Sequence, residues 1–369
     1  MPSAGTDIVT TRTYLAALAL LALPAAARAQ GAAPQGAAPQ AAAKPIPQPD
    51  PDMAAVIDAY AGFRNAPVNV LTPDSARKQK TPADAVKQVL LTQGRDTAPT
   101  ALVPGVTSAD RTVPGAAGPL PATVYTPAGA GPFPVIVYYH GGGWVIADRK
   151  VYDGGARGLS KQANAVVVSV DYRRAPEAKF PAQHDDALAA YRYVATHARE
   201  FGGDGRRFAL AGESAGGNLA VATAVAAVGA RLPRPAAVVS VYPIGQGDTT
   251  TAAYLENANT QPLSRGGMSW FFQYALADQG QRRDPRITLP RAALRGLPPV
   301  TIVNADIDPL RDDGAQLERA LRAAGVPVER RVYDGVTHEF FGMAAVVRKA
   351  ADAQQYAGER LRQAFGPAR

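Results

Sequence analysis

Cysteine is absent from the 369 residues of the chain, and histidine occurs only four times. Without cysteine there can be no disulfide, no thiol nucleophile and no Cys-ligated metal. The histidines show no H-E-x-x-H or comparable ligand spacing, so the sequence predicts no metal site. Neither G-x-G-x-x-G nor G-K-[ST] occurs, and this disfavours a nucleotide-binding protein.

Runs of like charge are also missing. The formal net charge is +8, from 39 Lys and Arg against 31 Asp and Glu, and the basic residues are scattered among acidic ones. This distribution indicates a solvated basic surface rather than an arm that binds nucleic acid. We therefore expect no nucleic-acid partner.

The N-terminus has the features of a processing segment. An arginine precedes the apolar residues 14–23, which are too few for a comfortable membrane span, and Ala27 and Ala29 are the small residues that signal peptidase recognises. We predict a signal peptide over residues 1–29, export to the periplasm or the medium, and no stable membrane span after processing. An uncleaved membrane anchor is the alternative. Residues 30–52, with a repeated GAAPQ and alternating prolines, predict a Pro- and Ala-rich disordered linker.

Short β-rich runs alternate with helical patterns from residue 106 onward. The predicted strands cover residues 106–113, 122–126, 135–139, 165–170, 207–211, 236–241, 300–304 and 328–333. The predicted helices among them cover residues 182–199, 218–230, 310–324 and 344–365. This alternation indicates the α/β class, with a mostly parallel sheet covered by helices on both faces. The first strands are of the antiparallel type, so the sheet is expected to be mixed.

Two regions lie outside the alternation. Residues 53–105 predict an N-terminal helical segment, and residues 245–297 interrupt the catalytic domain that otherwise covers residues 106–369. The helices predicted in these two regions cover residues 53–61, 82–91 and 268–277. We predict that both regions form a cap over a cleft; packing against the domain without covering a cleft is the alternative for each.

A G-x-S-x-G motif, GESAGG at 212–217, lies between a short apolar run and an alanine-rich helical pattern. A strand, a sharp turn with serine at its tip and a helix form the nucleophile elbow of α/β-hydrolases. Ser214 is therefore the candidate nucleophile. Gly212 and Gly216 would keep side chains out of the space where strand and helix approach each other.

A nucleophilic serine needs a base and an acid that orients the base. The chain order in α/β-hydrolases is serine, acid, histidine, and His338 is the only histidine after Ser214. Asp306 and Asp308 both follow the predicted strand 300–304, and Pro309 favours Asp308 because it fixes the chain that follows. The next acids, at 312 and 313, are expected in the first turn of a helix, where the helix dipole favours them.

Three consecutive glycines lie in HGGGW at 140–144, directly after a predicted strand. Glycines allow close approach of the backbone, so their N–H groups, with the N–H of Ala215, could bind an oxyanion. A flexible or phosphate-binding loop is the alternative.

Several blocks of the chain resemble, in order, those of the hormone-sensitive-lipase family, the bacterial family IV esterases. They are HGGGW (140–144), DYRRAPEAKFPA (171–182), GESAGGNLA (212–220), YP (242–243), DPLRDDG (308–314), LRAAGVPVE (321–329) and YDGVTHEF (333–340). The resemblance implies an α/β-hydrolase fold with a central eight-stranded sheet and a small helical cap. It also implies Ser214 as nucleophile, Asp308 as acid and His338 as base, and an oxyanion hole formed by Gly142, Gly143 and Ala215. Two departures are Glu213, where many members have Asp, and Arg174, where Leu is usual.

The resemblance implies a carboxylic-ester hydrolase for short- to medium-chain acyl esters that needs no cofactor. Trp144, Trp270 and Phe271 are candidates for the substrate pocket. A same-fold hydrolase of amides, lactones or carbamates and a non-catalytic ligand-binding relative are the alternatives. Because neutral imidazole is needed, activity should fall below roughly pH 6.5. A homodimer could form through the predicted edge strand 328–333.

Four residues of the DYRRAPE block and two further histidines are expected to be structural. The block should support the loop beneath the oxyanion glycines. The histidines should be surface or helix-packing residues. These six are Asp171, Tyr172, Arg173, Glu177, His184 and His197.

Overall fold

The computed structural model describes residues 47–367. The predicted signal peptide 1–29 and most of the predicted linker 30–52 lie outside the described residues. In the described part of the chain, no helix is long and apolar enough to cross a membrane.

Eight strands form one mixed sheet, in the order β1-β2-β4-β3-β5-β6-β7-β8. β2 runs antiparallel to both of its neighbours, and all other pairs are parallel. This confirms the predicted mostly parallel, eight-stranded sheet. The strands are β1 (Val106–Pro114), β2 (Pro119–Pro127), β3 (Phe133–Tyr139), β4 (Val166–Val170), β5 (Gly203–Glu213), β6 (Ala237–Val241), β7 (Val300–Ile307) and β8 (Val328–Thr337).

The central strands form because their runs of apolar, mostly β-branched residues are buried on both faces, as in β3, β4 and β6. Successive side chains point to opposite faces. Val135 and Val137 therefore join one core, and Ile136 joins the other. β1 is an edge strand, largely exposed, which agrees with its polar sequence.

Helices cover both faces of the sheet. Helices α6, α7 and α10 pack on one face, and α1, α3, α5 and α11 on the other. The α-helices are α1 (Pro51–Gly62), α2 (Pro73–Ala76), α3 (Pro82–Thr92), α4 (Pro99–Leu102), α5 (Asp153–Ala163), α6 (Ala182–Thr196), α7 (Ala215–Gly229), α8 (Ala252–Glu256), α9 (Arg265–Ala275), α10 (Arg311–Ala323) and α11 (Arg348–Phe365). Short 3₁₀ turns lie at Val68–Val70, Ala198–Phe201, Gln279–Arg283, Leu289–Arg291 and Phe340–Met343.

The end of the predicted linker is part of the folded domain, so the boundary at residue 52 is wrong. α1 begins at Pro51, where proline is well suited to the first helical position. The N–H of Asp50 donates to the carbonyl of Gly335 (2.8 Å), and Asp52 accepts from the N–H of Arg348 (2.8 Å). These contacts fix the chain before the helix starts.

Helix α5 was not predicted, because its glycines make it a poor helix by propensity. The structure shows why they are there. A Cβ on Gly155 would lie 2.0 Å from Glu213 Oε1, and one on Gly158 would lie 2.0 Å from Gln354 Oε1. Close packing against β5 and α11 thus requires glycine at both positions and overrides the propensity.

Candidate active site

The Ser214 turn has the geometry of a strained elbow. Ser214 lies between β5 and α7 with φ 58° and ψ −116°, a combination that non-glycine residues rarely adopt. A Cβ on Gly212 would lie 2.2 Å from the carbonyl oxygen of Gly216, and one on Gly216 would lie 1.9 Å from that of Tyr139. Only glycine fits at these two positions, and the backbone therefore presents the serine side chain at the tip of the turn.

His338 and Asp308 complete a hydrogen-bonded row with the serine. His338 Nε2 lies 2.9 Å from Ser214 Oγ, and His338 Nδ1 lies 2.7 Å from Asp308 Oδ2. The carboxylate cannot donate, so Nδ1–H is the donor and Nε2 accepts the serine proton. The loops after β5, β7 and β8 bring these residues together at the carboxyl ends of the parallel strands, where α/β sheets hold their sites.

The structure separates the acids that the sequence left in competition. Asp308 is fully buried, and its Oδ1 also accepts from the N–H of Leu310 (2.8 Å), which fixes the carboxylate. Asp306 instead forms an ion pair with Arg311 (3.2 Å). Asp312 and Asp313 lie in the first turn of α10, as predicted, and Asp313 is buried there and accepts from the N–H of Gly245 (3.0 Å).

Opposing effects determine the pKa of His338. Burial alone would lower it, but the charge and the hydrogen bond of Asp308 outweigh burial, so the pKa lies above its ordinary value. The carboxyl groups of Glu339 and Glu213 act in the same direction. The site therefore favours the imidazolium that forms when His338 takes a proton.

The glycine loop lies beside the serine in the conformation that close approach requires. Gly142 and Gly143 have φ of 92° and 58°, and both line the same cleft as Ser214. A Cβ on Gly142 would lie 2.2 Å from the carbonyl oxygen of Ile146. Ala215 is the first residue of α7, whose first N–H groups have no acceptor within the helix. Gly142 and Gly143 thus line the cleft with Ser214, and Ala215 follows Ser214 directly in the chain.

The cleft has a cavity volume of about 170 Å³. The N-terminal segment contributes Tyr60, Val68 and all but one of the residues 76–82 to its wall. The 245–297 region contributes Pro262, Leu263 and Phe271. Phe271, one of the three candidate pocket residues, thus lines the cleft. Trp144 and Trp270 do not line the cleft, and their assignment to the pocket is wrong. Both are buried in the core, and Trp270 Nε1 donates to the carbonyl of Leu71 (2.8 Å).

Arg77 was missed by the sequence analysis, and it connects the N-terminal segment to the catalytic domain. Its guanidinium donates to the carbonyls of Val145 (2.9 Å) and Ala175 (2.7 Å) and forms two hydrogen bonds with Glu177 (2.7 and 2.8 Å). These bonds hold the pKa of Glu177 at about 2. Tyr172 supports the neighbouring loop by donating to the carbonyl of His140 (2.9 Å). No sequence pattern points to Arg77, since its partners lie 68 to 100 residues away.

A second buried acidic group lies next to the triad. Glu213 accepts hydrogen bonds from Tyr138 and Tyr242, and Glu339, the residue after His338, accepts one from Tyr152. Burial raises the pKa of Glu213 to about 8, with the nearby Glu339 acting in the same direction, and burial also raises the pKa of Glu339. One signal for this group is present in the sequence. Glu213 directly precedes Ser214, and Glu339 directly follows His338.

The remaining histidines have different surroundings. His184 is buried and bonded to Asn218 in the first turn of α7, so it is a packing residue and not a surface one. His197 is exposed and stacks on Tyr193. Among residues 47–367, no group of three or more His, Asp or Glu side chains could hold a metal ion.

Comparisons with known proteins identify the family. A family model described as the α/β hydrolase fold matches residues 136–342. The chain is 36% identical over 275 residues to the esterase LipI of Mycobacterium tuberculosis, covering 73% of this chain and 85% of that protein. It is 32% identical over 226 residues to an ethyl acetate hydrolase of Pseudomonas putida, covering 60% and 71%.

Solved structures agree with the sequence relatives. A thermostable esterase from Pseudomonas putida superposes with a TM-score of 0.78 at 30% identity, covering 87% of this chain and 99% of that one. Three observations indicate the same family: the order of the eight strands, the match to the family model and the esterase relatives. The chain belongs to the hormone-sensitive-lipase family of esterases with the α/β-hydrolase fold.

Proposed function

We propose that this carboxylic-ester hydrolase uses Ser214, His338 and Asp308 as its catalytic triad. The observation that carries the proposal is the continuous row of hydrogen bonds from Asp308 through His338 to Ser214, at 2.7 and 2.9 Å. Family membership accounts for ester hydrolysis as the reaction class. The geometry supports these three side chains as the ones that perform it.

Acylation starts when Ser214 Oγ attacks the ester carbonyl while His338 Nε2 takes the hydroxyl proton. Asp308 holds the tautomer that leaves Nε2 free and stabilises the imidazolium. The carbonyl oxygen becomes an oxyanion, and the N–H groups of Gly142, Gly143 and Ala215 stabilise it. The loss of one such donor typically lowers kcat about 100- to 1000-fold.

The tetrahedral intermediate collapses when His338 gives its proton to the leaving alcohol, and an acyl-enzyme on Ser214 remains. Water then enters, His338 takes a proton from it, and the hydroxide attacks the acyl carbonyl. The same N–H groups stabilise the second oxyanion. Collapse returns the proton to Ser214 Oγ and releases the carboxylic acid.

The size of the cleft supports short- to medium-chain acyl esters as substrates. Its volume of about 170 Å³ is below the roughly 300–1,000 Å³ usual for drug-sized ligands. The relative that hydrolyses ethyl acetate supports the same substrate class. We propose that the N-terminal segment and the 245–297 region serve as the cap that limits acyl length, with Phe271 in its wall.

The test is hydrolysis of p-nitrophenyl esters from acetyl to palmitoyl by the wild type and by Ser214→Ala. We expect turnover that peaks at short chains and is lost in Ser214→Ala, with the fold intact by circular dichroism. Phe271→Ala should shift the preference to longer chains, whereas Phe201→Ala, at a buried aromatic outside the cleft, should not. A peak at palmitoyl would overturn the proposed chain length. Full turnover by Ser214→Ala would overturn the triad.

We propose export of the protein, with residues 1–29 as the signal peptide. The apolar run, the basic residue before it and the small residues at 27 and 29 support this. Fractionation of cells that express the full chain, with N-terminal sequencing of the product, tests it. A product that begins at Gln30 and is absent from the cytoplasm is expected, and an uncleaved cytoplasmic chain would contradict it.

We propose that the protein forms a homodimer through β8. This strand ends the sheet order, and its exposed edge residues include Val332. Unpaired edge strands readily pair with another copy. Sedimentation analysis should give a dimer that Val332→Lys weakens, and a monomer at all concentrations would contradict the proposal.

A further inference from the structure

Glu339 has no part in the acyl transfer described above, although it lies in the cleft with Ser214 and His338. It is partly buried, and its backbone has φ 72°, in the left-handed region. Only a few per cent of non-glycine residues adopt such φ values, and strained residues cluster at functional sites. The strained backbone of Glu339 therefore indicates a functional role for its side-chain contacts.

The side chain of Glu339 accepts a hydrogen bond from the hydroxyl of Tyr152 (2.5 Å), which is 187 residues away in the chain. Tyr152 in turn supports the glycine loop. A Cβ on Gly141 would lie 2.2 Å from the Tyr152 hydroxyl, so the phenol packs directly against the backbone of this loop. Through this contact, the loop that carries the histidine is joined to the loop that carries the oxyanion donors.

Glu339 is also the acid nearest in the chain to the imidazole. Glu213, the other acid of the group, is fully buried between Tyr138 and Tyr242, and near neutral pH its high pKa keeps it mostly protonated. Two carboxyl groups that share a buried region resist simultaneous ionisation. Glu339 is the member of this pair that borders the cleft, and its charge raises the pKa of His338.

We propose that Glu339 is a positioning residue of the ester hydrolysis: it holds Tyr152 against the oxyanion loop and stabilises the imidazolium of His338 by its charge. The inference rests on the proposed triad. Glu339 does not exchange a proton with the substrate, and its two effects are separable because one needs a hydrogen-bond acceptor and the other needs a charge. The titratable groups that face it are Tyr60, Tyr138, Tyr152, Glu213, Tyr242, Asp308 and His338.

Four variants separate the two effects. Glu339→Gln keeps an acceptor oxygen for Tyr152 but removes the charge, so the acid limb of kcat/KM should move to lower pH by about half a unit or more. Tyr152→Phe keeps the charge but releases the glycine loop, so kcat at the plateau should fall about tenfold while the acid limb moves little. Glu339→Ala should show both effects, and Glu339→Asp should recover part of each.

The chain offers a matched control in Glu200, which accepts a hydrogen bond from Tyr193 (2.7 Å) on an exposed surface away from the cleft. Glu200→Gln and Tyr193→Phe make the same chemical changes and should leave kcat and the pH profile as in the wild type. Thermal unfolding midpoints measured for every variant identify any loss of fold. If Glu339→Gln does not fold, Glu339→Ala, which also removes the charge, provides the pH profile.

The rate at which a fluorophosphonate labels Ser214, measured from pH 5 to 9, reports the state of His338 without any ester turnover. A shifted acid limb in Glu339→Gln, absent from Glu200→Gln, supports the proposal even if the ester panel fails. Profiles of Glu339→Gln and wild type that coincide, or a plateau in Tyr152→Phe equal to that of Tyr193→Phe, would overturn it. Absence of labelling in the wild type would overturn the triad itself, and with it this inference.

Discussion

His184 Nε2 lies 3.0 Å from the side-chain oxygen of Asn218, so the helix before the elbow is bonded to the first turn of the helix after it. The Asn218 amide donates in turn to the carbonyls of Ile244 (2.9 Å) and Ile287 (3.2 Å). All these groups are buried. One asparagine thus fixes the nucleophile helix to α6, to the loop after β6 and to the 245–297 region.

This arrangement predicts a loss of stability in acid. Burial lowers the pKa of His184 to about 4, so between pH 6.5 and 4 the unfolded chain binds a proton at this residue that the folded chain does not. The contribution of neutral His184 is complete above pH 6.5 and declines as the pH falls, by about 2 kcal/mol at about pH 5.

Urea unfolding at pH 7.5 and pH 5 measures this effect. His184→Gln should lose about 2 kcal/mol less than the wild type between the two pH values. His197→Gln, at the exposed histidine, should retain the wild-type difference. Equal losses in wild type and His184→Gln would contradict the prediction.

The acid limb of activity should lie higher than the sequence predicts. Catalysis needs neutral His338, and the pKa of this group is raised above its ordinary value of 6.5 by Asp308, in spite of burial. The midpoint of the acid limb of kcat/KM should therefore lie above pH 6.5 and not at it. A profile measured from pH 5 to 9 on p-nitrophenyl acetate gives this value. A midpoint below 6.5 would show that burial outweighs Asp308 in setting the pKa of His338.

Gly142→Ala should abolish most of the activity. The added Cβ would lie 2.2 Å from the carbonyl of Ile146, at a φ of 92°, so the oxyanion loop must move. We expect kcat/KM to fall at least about 100-fold. Gly296→Ala is the control, because Gly296 also has a positive φ (84°) but faces open space. It should cost roughly 1 kcal/mol of stability with normal kcat/KM, and similar activities for the two variants would refute the steric argument.

Arg77→Lys should weaken the connection between the N-terminal segment and the catalytic domain. Lysine cannot replace the bonds to two backbone carbonyls and a carboxylate at once. We expect about 1–3 kcal/mol lower unfolding free energy and a higher KM, because Arg77 also lines the cleft. Glu177→Gln should cost less than about 1 kcal/mol, since 60% of the Glu177 side chain is exposed and exposed ion pairs contribute little. A larger loss in Glu177→Gln would contradict this ranking.

Sequence patterns predicted the eight strands, the nucleophile elbow at Ser214 and His338 as the base, because strand period, glycine requirements and chain order can be read along the chain. Between Asp306 and Asp308, only the resemblance to the family decided. Sequence patterns failed where contacts with residues distant in the chain determine the local structure or the role of a side chain. Helix α5 forms in spite of its glycines because Glu213 and Gln354 need the space. The two tryptophans resemble pocket residues by type, but only the packing of the fold shows that they are buried. Glu339 and Arg77 act through contacts with residues far away in the chain, which no local pattern records.

The bond between Trp270 and Leu71 has a consequence for the order of assembly. The two residues are 199 positions apart, so on the ribosome the N-terminal wall of the cleft is made long before the helix against which it packs. At about 5–20 residues per second, that delay is roughly 10 to 40 s. His338 follows later still, so the nascent chain gains the base only after both parts of the cleft wall have been synthesised.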